Sequence, residues 1–410
     1  MIEDQKKEWL SKIIWLLVMM NPFLDVITSF SNHMLGHSSY FVFGMKFLFL
    51  VFLFGLCMKK LDKRLVIYMS ISSLYILVFL GLQFRMKGSG FLFLEAQSLF
   101  RTFYLPFVFS FLMILYQRGI FKVKRKNLIL LLFFYLSFLV FPTLAGVSFD
   151  SYAHSKQGNI GWFYSTNEVG GILAILGPFL FLFLKNHKWW IQVVGFLCYL
   201  SGILVLGTKV PVLAFLFMVL CFLIVFFRKL LVKKDWKKII YSAIGTVLCT
   251  LLLFFIVWQS SFYKNIRIHL KFLGIHEVQD LFTFHHIDHF IFSERLSFLK
   301  NTHELYQEVS FSEKVVGMGI GDVRVNSPRS MKMIEMDYFD IFYHYGVWGS
   351  FCFVLAFLLF YKKRKYQLDE KISMGLVLLL SFFSGHILVS PSVSVLVAIV
   401  LVPKEVEVFK

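Results

Sequence analysis

Apolar residues in this chain do not alternate and do not form one-sided helical stripes. They run unbroken for about twenty positions, stop at a short polar or basic stretch, and begin again. Each run is long enough to cross a bilayer core as a helix. Twelve such segments are predicted, near 10–28, 40–58, 65–84, 98–116, 128–145, 168–184, 188–206, 210–227, 239–258, 338–361, 372–389 and 392–403. The fold expected is all-α and polytopic, with transmembrane helices 1–9 over residues 1–258. A partly helical loop fills 259–336, and helices 10–12 with the C-terminus fill 337–410.

Composition agrees with that reading. The chain is 58% hydrophobic and 19% aromatic, with 52 Phe, where an ordinary soluble domain is nearer half apolar. Its net charge of +18 is not a nucleic-acid signature, because the basic residues are clustered between spans. The N-terminus, "KKLDKR", "QRGIFKVKRKN", "KNHK", "RKLLVKKDWKK", "KKRKYQLDEK" and the C-terminus hold most of the 42 Lys and Arg residues. These are alternate connections, so the positive-inside rule puts both termini in the cytoplasm and 259–336 outside, as in a multi-pass protein of a bacterial plasma membrane. "KKEWLSKIIWLLVMM" has the first two regions of a signal peptide but no small-residue cleavage site, and is read as an uncleaved first span. The five cysteines all lie within apolar runs, away from any disulfide or CxxC pattern.

Orientation makes the ionisable residues at span ends informative. Asp25, Lys46, Arg101, Glu168, Lys209, Asp337, Asp340 and His386 all fall at or just inside the outer end of a span. Charges at membrane depth usually face a bundle interior or a wet cavity, so a polar chamber in the outer leaflet is expected. Outside the membrane there is no nucleotide sugar, so bond formation there needs a pre-activated donor. A sugar chain on a polyprenyl diphosphate meets that need. Its diphosphate calls for Arg and Lys, and its acceptor hydroxyl calls for a base.

Within the loop, "SERLSFLKNTHELYQEVS" (293–310) reads as an amphipathic helix. Ser293 is the expected N-cap, Glu294 suits the first turn, and Leu296, Leu299 and Tyr306 share a face. Arg295 opposes the dipole there, and a helix N-terminus with an added Arg makes an anion site. "GMGIGD" (317–322) lacks the strand–helix context of a nucleotide loop and is read as a tight turn into the tenth span. His285 and His289 have a helical spacing that can bind metal, but no HExxH is present, and no metal or cofactor is expected. "GTKVP" aims Lys209 outward from a tight hairpin. "IEMDYFDIFYHYGVWG" (334–349) opens a span with Glu335, Asp337 and Asp340, either a dipole-friendly helix start or part of a reaction centre.

These motifs, in their order along the topology, resemble the O-antigen ligase and Wzy-type polymerase superfamily. "STNEVGG" (165–171) is similar to that family's Asn-Glu stretch, which implies substrate-binding roles for Asn167 and Glu168. "GTKVP" is similar to its Thr-Ser-Arg hairpin. "SERLSFLKN", "VVGMGIGD" and "DYFDIFYHYGVWG" resemble its Arg, Gly-rich and Tyr/Gly elements, and "NPFLDVITSF" resembles Gram-positive members. Lys209 stands where lipopolysaccharide ligases carry Arg, and Asp337 where they carry His. Those departures favour a polymerase of teichuronic acid, capsular or exopolysaccharide type. The resemblance implies a metal-independent glycosyl transfer from an undecaprenyl-diphosphate-linked oligosaccharide to a polysaccharide or lipid-linked acceptor. Arg295, Lys209 and Arg101 would hold the diphosphate. Asp337, or Glu335, would act as base, with Asp340 fixing Asp337 or binding sugar hydroxyls. A lipid-linked oligosaccharide flippase or other secondary transporter is the alternative, and a scaffold of an envelope complex a third. Residues 1–206 and 207–410 show no convincing repeat of the kind transporters use.

Overall fold

The computed structural model describes residues 2–36, 40–152, 157–234, 236–275, 280, 282–320, 333–361 and 366–403. Gly321 and Asp322 of the Gly-rich stretch, the basic cluster at 362–365 and the C-terminal residues 404–410 lie outside the described residues. Each of the twelve apolar segments contains a helix, although the eleventh is helical only to Phe383 and residues 384–390 form a non-helical turn. Helices α1 (Ile2–Met19) and α2 (Asn21–Leu35) form the first, followed by α3 (Tyr40–Met58), α4 (Lys63–Lys87), α5 (Ser89–Gln117) and α6 (Arg125–Leu144). A two-stranded hairpin, β1 (Phe149–Asp150) and β2 (Asn159–Gly161), then leads to α7 (Thr166–Leu184), α8 (Trp189–Val205), α9 (Lys209–Val232) and α10 (Trp236–Gln259). Among the described residues, nine helical stretches are long and apolar enough to cross a membrane, and two shorter apolar helices accompany them.

The loop between the ninth and tenth segments is helical in pieces. It holds α11 (Ser261–Phe272), α12 (Phe284–Ile287), a π-turn at Asp288–Phe292, α13 (Arg295–Glu308) and α14 (Phe311–Val316). The chain then returns through α15 (Asp337–Phe360), α16 (Leu368–Phe383) and α17 (Pro391–Leu401). All-round apolar helices must be covered by each other or by lipid. Helices α5 and α7 take the centre, α17 packing on α5 and α16 on α7. None of the described residues of α10 is buried, so its faces are left to lipid. Pro106, Pro142 and Pro178 sit inside α5, α6 and α7, a placement that membrane helices tolerate when neighbours satisfy the freed carbonyls.

The Gly-rich stretch differs from the tight turn expected. Residues 317–320 run as a buried, non-helical segment threaded between α4, α5 and α15. Its backbone groups are met by polar side chains from helices that read as plain spans. Gln83 Nε2 donates to the Gly317 carbonyl (3.0 Å), Lys87 Nζ to the Met318 carbonyl (2.6 Å), and Ile320 N–H donates to Glu95 Oε2 (3.0 Å). Lys87 and Glu95 are themselves paired at 2.9 Å. Irregular backbone inside a membrane bundle needs such partners. On the facing helix, α15 breaks at Gly346 (φ +64°), where a Cβ would lie 2.5 Å from the Val315 carbonyl oxygen. Only glycine lets the segment and the helix approach this closely.

Helix α13 also starts differently from the expectation. Ser293 and Glu294 are both left-handed (φ 54° and 69°), and the helix begins at Arg295. Its cap is Asp288, whose Oδ1 accepts from Leu296 N–H (2.9 Å) and Oδ2 from Ser297 N–H (2.9 Å). The π-turn folds Asp288 back over the helix start, a contact that a local capping pattern does not encode. Leu299 and Tyr306 do share a face, packing with Met318, Ile334, Met336 and Tyr343.

Candidate functional site

A cavity of about 410 Å³ opens among α2, α3, α5, α7 and the turn before α17, at the bundle end that carries the long loop. Five of the eight ionisable residues singled out at span ends line it: Asp25, Lys46, Arg101, Glu168 and His386. Hydroxyl and amide groups from Asn32, Gln97, Ser98, Ser165 and Ser390 add hydrogen-bonding capacity, while Val42, Phe43 and Phe100 make one wall apolar.

The charges in this chamber are not equivalent. Asp25 pairs with Lys46 (3.2 Å) and also accepts from Tyr135 Oη (2.9 Å) and Ser392 Oγ (2.5 Å). Lys46 Nζ lies 2.5 Å from the same Ser392 hydroxyl. This cluster is largely covered and internally balanced, so it ties α2, α3, α6 and α17 together. Arg101 is exposed on the cavity side of an otherwise deeply buried helix. Glu168 is half-buried in the first turn of α7, which Ser165 caps by accepting the Glu168 N–H.

Six expected site residues do not line the chamber: Asp337, Asp340, Arg295, Glu335, Lys209 and Asn167. Asp337 is fully buried and its Oδ2 accepts from Ile387 N–H (3.0 Å) and Leu388 N–H (2.8 Å). Asp340, also buried, accepts from Ile334 N–H (3.2 Å) and Met336 N–H (3.1 Å). Neither carboxylate is among the residues that line the cavity. The physical reason is that the chain on both sides of α15 turns sharply, and its buried N–H groups need acceptors. Arg295 is 7% exposed; it donates to the Phe383 carbonyl (2.6 Å) and pairs with Glu335 (2.9 Å). The helix N-terminus it was expected to share with an anion already holds Asp288.

Lys209 lies elsewhere again. Its ammonium donates to the Phe290 carbonyl, sits 3.3 Å from His269 Nδ1 and lies over the Phe290 ring (4.3 Å). It lines a small cleft with Tyr152, Gly207 and Asn265, where burial pushes the Tyr152 phenol above its ordinary value. Lys209 thus joins the α8–α9 hairpin to the loop helices instead of pointing into the chamber. Asn167, in the same first turn as Glu168, is half-buried and is not part of the cavity wall. In the histidine cluster, His285 and His289 rings lie 4.3 Å apart, His289 pairs with Glu294 (3.3 Å), and His286 Nδ1 meets the Asp280 carbonyl (2.5 Å).

What the sequence reading left without a role is His386. It lies in the non-helical turn between α16 and α17, in a left-handed conformation (φ +59°), and lines the chamber. The signal was present in "SGHILVSPS", a polar interruption of an apolar stretch, but its support comes from residues far away in sequence.

A family model described as O-antigen ligase like membrane protein matches residues 7–281 and 277–404. The chain belongs to that family. No curated protein and no solved structure matches it. As a member of the O-antigen ligase-like family, it is a multi-pass membrane protein of polysaccharide biosynthesis. The resemblance read from the motifs is therefore to the correct superfamily. The chamber's lining brings together Lys46, Arg101, Asp25, Glu168, His386 and several hydroxyl and amide groups.

Proposed function

We propose that this O-antigen ligase-like protein transfers an oligosaccharide from a polyprenyl diphosphate to an acceptor hydroxyl inside the chamber. The observation that carries the reading is the wall itself: exposed Arg101, the Lys46 cluster, Glu168 and His386 face one cavity beside the apolar pair Phe43 and Phe100. The diphosphate binds at Arg101, since the Lys46 charge is already balanced by Asp25. The polyprenyl tail leaves between α3 and α5, past Phe43 and Phe100, whose rings meet at 4.6 Å. Direct attack by the acceptor hydroxyl on the anomeric carbon, from the side opposite the diphosphate, inverts its configuration, and Asp25 is committed to Lys46. The distribution of Lys and Arg supports placing the chamber at the outer face of the plasma membrane, with both termini in the cytoplasm. Lys209 and Asp337 in place of the ligases' Arg and His favour polymerisation of repeat units over ligation to a lipid core.

A photo-reactive amino acid at Phe43 tests the binding half of this proposal. Irradiation with a radiolabelled polyprenyl-diphosphate sugar is expected to label the protein, and unlabelled polyprenyl diphosphate is expected to compete. The same probe at Leu248, on the lipid-facing α10, serves as the control. Equal labelling at both positions would mean that the lipid does not dock at the chamber.

A further inference from the structure

The turn that carries His386 is held from three directions by residues that do not line the cavity. Asp337 receives the Ile387 and Leu388 N–H groups immediately after the histidine. Arg295 donates to the carbonyl of Phe383 just before the turn. Gly385 (φ +63°) lies so close to Glu335 that a Cβ there would sit 2.5 Å from the Glu335 carbonyl oxygen. His386 follows it in the same left-handed region, which L-residues with side chains adopt rarely and which marks functional positions when the surroundings enforce it. Asp337 Oδ1 is buried with no hydrogen-bond partner among the described residues, one side of a carboxylate whose other oxygen holds the two N–H groups that follow His386. His386 itself lines a chamber shared with Asp25, Lys46, Arg101 and Glu168.

We propose that His386 is the base of the transfer reaction and that Asp337 is its positioning residue. This rests on the glycosyl-transfer reading above and assigns its missing group. Imidazole is the side chain whose ordinary titration lies nearest neutrality, which suits a base better than an exposed carboxylate. The acceptor hydroxyl gives its proton to the imidazole as its oxygen attacks the anomeric carbon. The bond from that carbon to the diphosphate oxygen breaks, and the electron pair leaves with the diphosphate at Arg101. The imidazolium then returns the proton to water. Asp337, by holding the two N–H groups that follow His386, fixes the turn and with it the place of the ring.

The test uses the full-length protein in lipid nanodiscs with lipid-diphosphate-linked repeat units. His386→Gly preserves the left-handed backbone while removing the ring. Its kcat is expected to fall by about 10²–10⁴-fold with donor KM unchanged, and added imidazole is expected to restore part of the rate, more so at higher pH. The acidic limb of the parental pH–kcat profile should vanish with the ring. Asp337→Asn should lower kcat less and shift that limb, without rescue by imidazole. His386→Gln, monitored by its melting temperature, controls for folding. Parental kcat in His386→Gly, or loss of the acidic limb in Glu168→Gln instead, overturns the assignment. No product from the parental protein overturns glycosyl transfer itself, and the role of His386 falls with it.

Discussion

Arg101→Ala is expected to lower turnover by about 10²–10³-fold, the usual loss when one group stabilising developing charge is removed. Insertion and melting should match the parent, because the guanidinium is exposed to the cavity while the packing of α5 is carried by its buried face. Lys46 is bound to Asp25 and Ser392, so its field in the chamber is largely offset. Arg101 is exposed on the cavity side, and its planar fork can present two parallel donors to the phosphate oxygens of a leaving diphosphate. Arg101→Lys should therefore recover only part of the rate. Product formation at the parental rate by Arg101→Ala protein would remove the diphosphate from this wall.

Arg295→Ala is expected to act by a different route, through stability. The arginine is nearly buried, and it supplies both the Phe383 carbonyl and Glu335. Losing charge-assisted bonds of this kind costs roughly 2–3 kcal/mol, after allowing for solvent around the partly exposed Glu335. The melting temperature should fall, and turnover should fall with it as the His386 turn loosens. Arg295→Lys cannot reach both acceptors with one ammonium and should recover little. Glu335→Gln alone should be mild. Combined with Arg295→Ala it should cost less than the sum of the two changes, since the carboxylate no longer lacks its partner. A parental melting temperature in Arg295→Ala protein that makes no product would instead show that the arginine touches substrate, as its sequence context first implied.

The helices were legible because length and polarity alone define them. Each of the twelve apolar runs met the one requirement a bilayer imposes, that backbone groups be satisfied within the segment. The chamber was partly legible too, since polar residues at membrane depth have few places to go. What local pattern did not reveal was which of those polar residues face the cavity. Asp337 and His386 look alike as span-end groups, yet one serves backbone N–H groups 50 and 51 residues away and the other lines the cavity. Lys209 and Arg101 differ in the same way, one anchoring loop helices and the other facing the chamber. Gln83, Lys87 and Glu95 were hidden inside apparent spans because their partners are the backbone groups of the Gly-rich segment, more than 200 residues on. Asp288 escaped notice as a cap for a similar reason, lying eight residues before the first N–H that it accepts.

The central claim is that bond formation takes place in this chamber on a lipid-diphosphate-linked donor. The direct measurement reconstitutes the purified protein in proteoliposomes with lipid-linked repeat units and follows product length by gel. The account predicts a ladder of lengthened lipid-linked chains with release of polyprenyl diphosphate, present in the parent and absent in Arg101→Ala. Movement of unchanged donor across the bilayer, without lengthened product or released diphosphate, would contradict it and identify the chamber as a transport site.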